Sequence, residues 1–251
     1  MWNFRAWRRE YLLRTASLPQ GPWRKTVASL ALLRGLSPDE LRRLQQLALL
    51  FLHEKELVGV AGLELTGVMT LRIAAQACLP ILELGLDYYR GMQTVLVYPG
   101  GFVARHEYRD EAGVVHVERS ALSGEAWQRG PVVLSWGEVA EPRGPGANLV
   151  IHEFAHVLDM LTGAANGLPL LHGTMSVAQW AADFAAAYGH LQACVERSEP
   201  TPIDHYAAQD PAEFFAVLSE VFFAAPRQLR ETYPAVYGQL QAFYRQDPAA
   251  R

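Results

Sequence analysis

The chain reads as an α+β protein, because helical patterns fill its beginning and its end while short β-branched runs cluster between them. Strand and helix do not alternate along it, which argues against a βαβ arrangement. Capping signals mark most helix starts, so the elements can be justified in order.

At the N-terminus Arg5, Arg8, Arg9 and Arg14 interleave with Trp2, Phe4, Trp7 and Tyr11, the pattern of an amphipathic docking segment. Ser37, Pro38 and Glu40 supply an N-cap, a first-turn proline and a capping-box acid, followed by Leu41, Leu44, Leu47, Leu50 and Phe51 at helical spacing. A second helix is expected from Thr66 through Met69, Ile73 and Ala77 to Pro80. TVLVY at 94–98, VVHVE at 114–118 and VVLSW at 132–136 are short runs between Gly, Pro and Asp, and predict one small mixed or antiparallel sheet. His116 falls inside the second run and reads as an ordinary sheet residue. The loop EPRGPG at 141–146 ends the strands, and Asn148 can cap the next helix. That helix stops near Thr162 and Gly163, and 164–173 (AANGLPLLHG) is loop-like. Ser176 with Gln179 opens a helix through Trp180, Phe184, Ala187 and Leu191. Asp210, Pro211 and Glu213 open another through Phe214, Val217, Leu218, Val221 and Phe222, which Pro226 ends; a last amphipathic helix spans 234–244. No linker or repeat interrupts the chain, so 1–251 is expected to form one domain, with 1–90 as helical scaffold and 91–251 as the functional core.

Half of the 251 residues are hydrophobic, 19% are charged, and the mean hydropathy is near zero, as in a soluble globular protein. A net charge of −4 argues against nucleic acid as a direct partner. The first residues place charges where a signal peptide needs a continuous apolar stretch, and no run approaches the length of a membrane span. The expected location is therefore cytoplasmic, away from membranes. Cys78 and Cys194, the only two cysteines, are too few for a disulfide framework and read as buried thiols.

His152, Glu153 and His156 spell HEFAH, an HExxH pattern. On a helix, positions four apart lie about one turn apart on one face, so two imidazoles can close on one small ion, and imidazole suits Zn²⁺. Glu153 lies to the side, where its carboxylate can reach a water on that ion as general base. Given 8 His in the chain, a random shuffle yields only about 0.016 such matches. The partial copy at His53, Glu54 and Lys55 lacks the second imidazole and reads as a solvated helix end.

A catalytic zinc uses three protein ligands and keeps a fourth position open. Thr162 stands where a third histidine six residues after His156 would be needed, so the donor is sought on a later helix. Glu213 and Glu220 both qualify, seven residues apart and on one helix face. Each has another explanation, Glu213 as a capping-box acid and Glu220 as a polar residue on an apolar helix. Tyr206, seven residues before Glu213, is placed to bring a phenol over a metal, to hydrogen-bond an oxyanion or to protonate a leaving amine. Asp159 shares the helix face of His152 and His156 and is a candidate to orient them, as is Glu220. The run at 132–136 is a candidate edge for an extended substrate.

HEFAHVLD at 152–159, NGLP at 166–169, YAAQDPAEFFAVLSEVFF at 206–223 and GEAWQRGPVVLSW at 124–136 resemble the Mlc titration factor A family of glucose-regulated bacterial zinc metallopeptidases. The likeness runs from about residue 95 onward and is weaker before it. The Tyr, six residues, Glu spacing after HExxH is also similar to the catalytic domain of anthrax lethal factor. The resemblance implies a zincin-like domain with one Zn²⁺ per chain held by His152, His156 and Glu213, with Glu153 as base and Tyr206 in the active site. It also implies a peptidase, with aminopeptidase activity among the options, acting on a peptide or protein substrate. Members are associated with sequestering the transcriptional repressor Mlc and so with sugar phosphotransferase gene expression, which makes a repressor-binding role independent of catalysis the competing reading. A closed structural zinc site is a third, disfavoured because neither cysteine lies near these motifs.

Overall fold

The computed structural model describes residues 4–100, 102–109, 115–122, 124–126, 130–144 and 146–251. The arginine-rich start forms helix α1 (Phe4–Thr15), which docks by its polar side. Arg9 donates to both carboxylate oxygens of Glu54 at 2.6 and 3.0 Å, and Arg5 adds a third bond at 3.0 Å. Leu12 and Leu13 pack partly buried on the core, while Phe4, Trp7 and Tyr11 stack on one another and stay exposed. Trp2 lies outside the described residues.

After α2 (Gln20–Ser29), Ser37 and Glu40 close the reciprocal cap expected of them, and α3 runs over Pro38–Glu54. The end of α3 is not the solvated terminus that its charges predict. Glu54 is the partner of Arg5 and Arg9, and only His53 is exposed. Lys55 is buried and donates at 2.6 Å to the carbonyls of Tyr89 and Met92, the first of which also accepts from the Met92 backbone N–H at 3.2 Å. Burial pushes its ammonium down to about 8.

Lys55 leads straight into a strand absent from the sequence expectation, β1 (Glu56–Gly59). Thr66 then caps α4 (Gly67–Cys78), and β2 (Thr94–Tyr98) follows. Because β1 and β2 pair in parallel across α4, the chain contains the βαβ unit that the coarse element order argued against. The remaining strands are β3 (Phe102–Arg109), β4 (Val115–Leu122), β5 (Gly124–Ala126) and β6 (Val132–Ser135).

The described strands form two sheets rather than one. One has the order β1-β2-β6-β5, with β1, β2 and β6 parallel and only β5 antiparallel, at the β6 edge. The other is the antiparallel hairpin β3-β4, which holds His116 opposite Tyr108; Val114, the first residue of the expected run, lies outside the described residues. The expectation of one mixed or antiparallel sheet is thus corrected: the larger sheet is mixed but mainly parallel, and the antiparallel pair forms a second sheet. The physical sign was in the residues of β6, buried at every position, as parallel strands between covered faces are. Residues 132–135 are flanked on both sides, so they offer no free edge; among the described strands β5 is the outer neighbour.

Trp136 does not extend β6 but begins the short helix α5 (Trp136–Ala140). Beyond the loop, of which residue 145 lies outside the described residues, come α6 (Leu149–Asp159), α7 (Val177–Glu196), α8 (Pro211–Ala224), α9 (Pro226–Thr232) and α10 (Pro234–Tyr244). Pro226 does end α8, yet it also opens α9, since a proline in the first turn costs no hydrogen bond. Buried side chains from Leu18 to Ala249 form one apolar cluster, in which Phe154, Trp180, Phe215 and Phe243 are enclosed. α8 crosses its middle with every residue from Phe214 to Phe223 buried, and packs on α6. Cys78 and Cys194 are buried and unbridged. No described helix is long and apolar enough to cross a membrane.

Candidate metal centre

Asn148 starts the site by starting its helix: its Oδ1 accepts from the backbone N–H of Ile151 at 3.0 Å. Val150, Ile151, Phe154, Ala155 and Leu158 then anchor α6 in the core, and the same rotation turns His152 and His156 toward α8. Their Nε2 atoms lie 3.2 Å apart, with the rings crossed at 79°. Glu213 reaches in from the first turn of α8, one oxygen 3.0 Å from His152 Nε2 and the other 3.5 Å from His156 Nε2. One ligand atom from each of the three side chains thus lies within 4.8 Å of the others, the one such trio of potential metal ligands among the described residues.

Glu213 does not close a capping box. Asp210 alone caps α8, its Oδ1 accepting from the N–H groups of Ala212 and Glu213, which frees the Glu213 carboxylate to face the histidines. Glu220, two turns further along the same face, stands behind His152 instead of beside it. Its Oε1 lies 2.7 Å from His152 Nδ1, and its Oε2 accepts from the backbone N–H of Asn148. The two acids that the sequence leaves as alternatives therefore occupy different layers of one site.

With Nδ1–H committed to Glu220, His152 in its neutral form presents a lone pair at Nε2. The nearest Glu213 oxygen, 3.0 Å away, is then acceptor facing acceptor, and it is buried without a hydrogen-bond donor. A cation between these groups removes that conflict, so the donor set fits a metal such as zinc. In the metal-free site a proton on Nε2 relieves the same conflict, so the electrostatics show a preference for positive charge there. Burial pushes the His152 pKa down, but Glu220, Glu213 and Glu153 outweigh it and hold it well above the ordinary imidazole value. Glu213, despite burial, is held well below the usual carboxylate range by the two histidines. The pocket stabilises positive charge.

Glu153 is buried on α6 between the two histidines in sequence. Tyr206 sits on a 3-10 turn over His205–Ala208, fixed where Asp204 accepts from its backbone N–H at 2.9 Å. Its ring centre is 6.0 Å from that of His152, and the side chain keeps solvent access at 40% exposure. Burial of the hydroxyl, then the carboxylates of Glu213 and Glu153, raise its pKa, so the phenol stays a proton donor.

Asp159 is fully buried, and its carboxylate is bound by a loop instead of by the histidines. Its Oδ2 accepts from Asn166 and Gly167 N–H at 2.8 and 2.7 Å. Gly167 has φ +78°, its carbonyl accepts from Trp180 Nε1–H at 3.0 Å, and it lies so close to Pro211 that a Cβ would stand 2.5 Å from the Pro211 carbonyl oxygen. Asp159 therefore braces the loop against which α8 begins, two residues before Glu213. Gln76 escaped notice in the sequence. Its one signal was a lone amide in the apolar run IAAQAC, and it is buried against Asn148.

An HExxH helix facing a glutamate from a second helix is the constellation of a metallopeptidase. The pattern of the glucose-regulated metallo-peptidase M90 family matches residues 4–245, and the chain belongs to that family. The Mlc titration factor A of Klebsiella pneumoniae (strain 342) is 45% identical to it over 234 residues, 92% of this chain and 88% of that protein. The protein of that name from Cronobacter sakazakii is 42% identical over 241 residues, covering 94% and 90%. That from Escherichia coli (strain 55989 / EAEC) is 43% identical over 234 residues, covering 92% and 88%.

Proposed function

We propose that this chain is a cytoplasmic zinc-dependent peptidase of gluzincin type, working as one unit, with His152, His156 and Glu213 as ligands of a single Zn²⁺. The observation that carries the reading is the meeting of two imidazole nitrogens with a buried carboxylate oxygen that has no donor. Zinc held there supplies Lewis acidity, polarising a peptide carbonyl and lowering the pKa of a water. Glu153 takes the proton from the attacking water and passes it to the amine nitrogen as the C–N bond breaks. Tyr206, kept protonated by its surroundings, donates to the carbonyl oxygen as charge gathers on it, and its exposure lets it move with the substrate. Glu220 keeps the proton of His152 on Nδ1. The substrate class is a peptide or protein, with aminopeptidase action the narrower form of the proposal.

The test is zinc content together with peptide hydrolysis. One zinc per chain is expected, and Glu153→Gln should retain the zinc while losing about 10²–10⁴-fold in rate, the usual share of general acid–base catalysis. Hydrolysis at the wild-type rate by zinc-loaded Glu153→Gln would falsify the mechanism.

A second reading has its own support, the name Mlc titration factor A carried by relatives above 40% identity. On it the chain captures the repressor Mlc and needs no catalysis to do so. Capture that survives in a His152→Ala, His156→Ala double variant separates binding from hydrolysis.

A further inference from the structure

A polar path from the N-terminal helical part to the metal centre runs through Gln76. Gln76 of α4, 2% exposed, accepts at Oε1 from Asn148 Nδ2 at 2.7 Å and donates from Nε2 to the Arg72 carbonyl at 3.1 Å. Asn148 Oδ1 is occupied by the N–H of Ile151, and the Asn148 N–H is bound by Glu220, whose other oxygen holds His152 Nδ1. Every direction in this chain is forced by a backbone group at its end. A carbonyl can only accept, so Gln76 must turn its NH₂ to Arg72 and its oxygen to Asn148. An N–H can only donate, so Asn148 must turn its oxygen to Ile151 and its NH₂ to Gln76. The Asn148 backbone is thereby fixed from both sides, and with it the N–H that orients Glu220. All four side chains in the chain are buried, where unmatched polar groups are costly and matched ones rigidify.

We propose that Gln76 is a positioning residue for the metal centre, setting the His152 tautomer and orientation through Asn148 and Glu220. Neighbouring Arg72 serves the same end, its guanidinium holding the Val139 and Ala140 carbonyls just before the segment that delivers Asn148. The proposal rests on the zinc reading above, and the test separates the two.

Zinc affinity is measured by competition with a chromophoric chelator, beside the visible spectrum of the Co²⁺-substituted protein and the unfolding of the metal-free form. Gln76→Met fills the same volume but leaves Asn148 Nδ2 without an acceptor; zinc affinity should fall about 3–10-fold, below the 10–100-fold typical of a direct ligand partner. The cobalt bands should shift. Gln76→Glu, kept protonated by burial, offers the same acceptor and donor, and should bind zinc within twofold of wild type. If Gln76→Met does not fold, Asn148→Ser replaces it, because serine retains the cap yet cannot reach Gln76, and the same weakening is expected. Equal zinc affinity and unchanged cobalt bands in the variant overturn the proposal, as does an equal loss in Gln76→Met and Gln76→Glu. Failure of the wild type itself to bind zinc overturns the metal reading instead.

Discussion

Replacing Glu220 by glutamine removes one charge and almost no volume, and the geometry says what must follow. Both carboxylate oxygens of Glu220 accept hydrogen bonds, one from His152 Nδ1–H at 2.7 Å and one from the Asn148 backbone N–H. Glutamine has a single acceptor. If its oxygen stays on Asn148, its NH₂ faces His152 Nδ1, which must give up its proton to Nε2, the atom that should carry the lone pair. If the amide turns over, the Asn148 N–H is left buried and unmatched beneath the first turn of α6. An unsatisfied buried donor costs about 1–3 kcal/mol, and with tenfold per 1.4 kcal/mol zinc affinity should drop about 5- to 150-fold. A chelator competition assay at fixed pH measures this directly. Zinc affinity within twofold of wild type would refute the reasoning, since no orientation of the amide satisfies both donors.

Two further outcomes are expected. Gly167→Ala must hold a left-handed backbone and place a Cβ 2.5 Å from the Pro211 carbonyl, so denaturant unfolding should show a loss of about 2–4 kcal/mol; a change below about 0.5 kcal/mol refutes the close approach. Arg9 foremost, with Arg5, holds the Glu54 carboxyl down to about 2 from an ordinary 4.5, so its contribution to stability is complete above 4.5 and disappears as pH falls toward 2. The stability advantage of wild type over Glu54→Gln should follow that window, and an advantage that stays constant across it sinks the idea.

Elements that announce themselves by caps were legible in the sequence. Ser37, Thr66, Asn148, Ser176 and Asp210 each mark a helix start and each accepts the backbone bond expected there. Strand order was not legible, because β1 is four residues long and follows α3 after a single residue, leaving no turn signal to set it apart. Without β1 the βαβ unit vanished from view. In the site, the HEFAH geometry could be read from helix spacing, whereas Glu213 and Glu220 could not be separated. Positions seven apart share a face, and only the depth of each on the docked helix places one at the Nε2 atoms and the other at Nδ1 of His152. Asp159 misled for the same reason: spacing gives a face, and the carboxylate turned along it to the loop. Gln76 needed contacts across 72 residues of sequence, which no local pattern encodes.

The burial of α8 limits how this protein can change. From Phe214 to Phe223 every residue is buried, and the same helix carries Glu213 and Glu220. A mutational scan should therefore find almost no latitude along α8, whichever substrate is used for selection. Tyr206, by contrast, stands on a short turn whose His205 and Asp204 are open to solvent. The same scan should find latitude there, on the exposed turn, while the helix that follows stays locked.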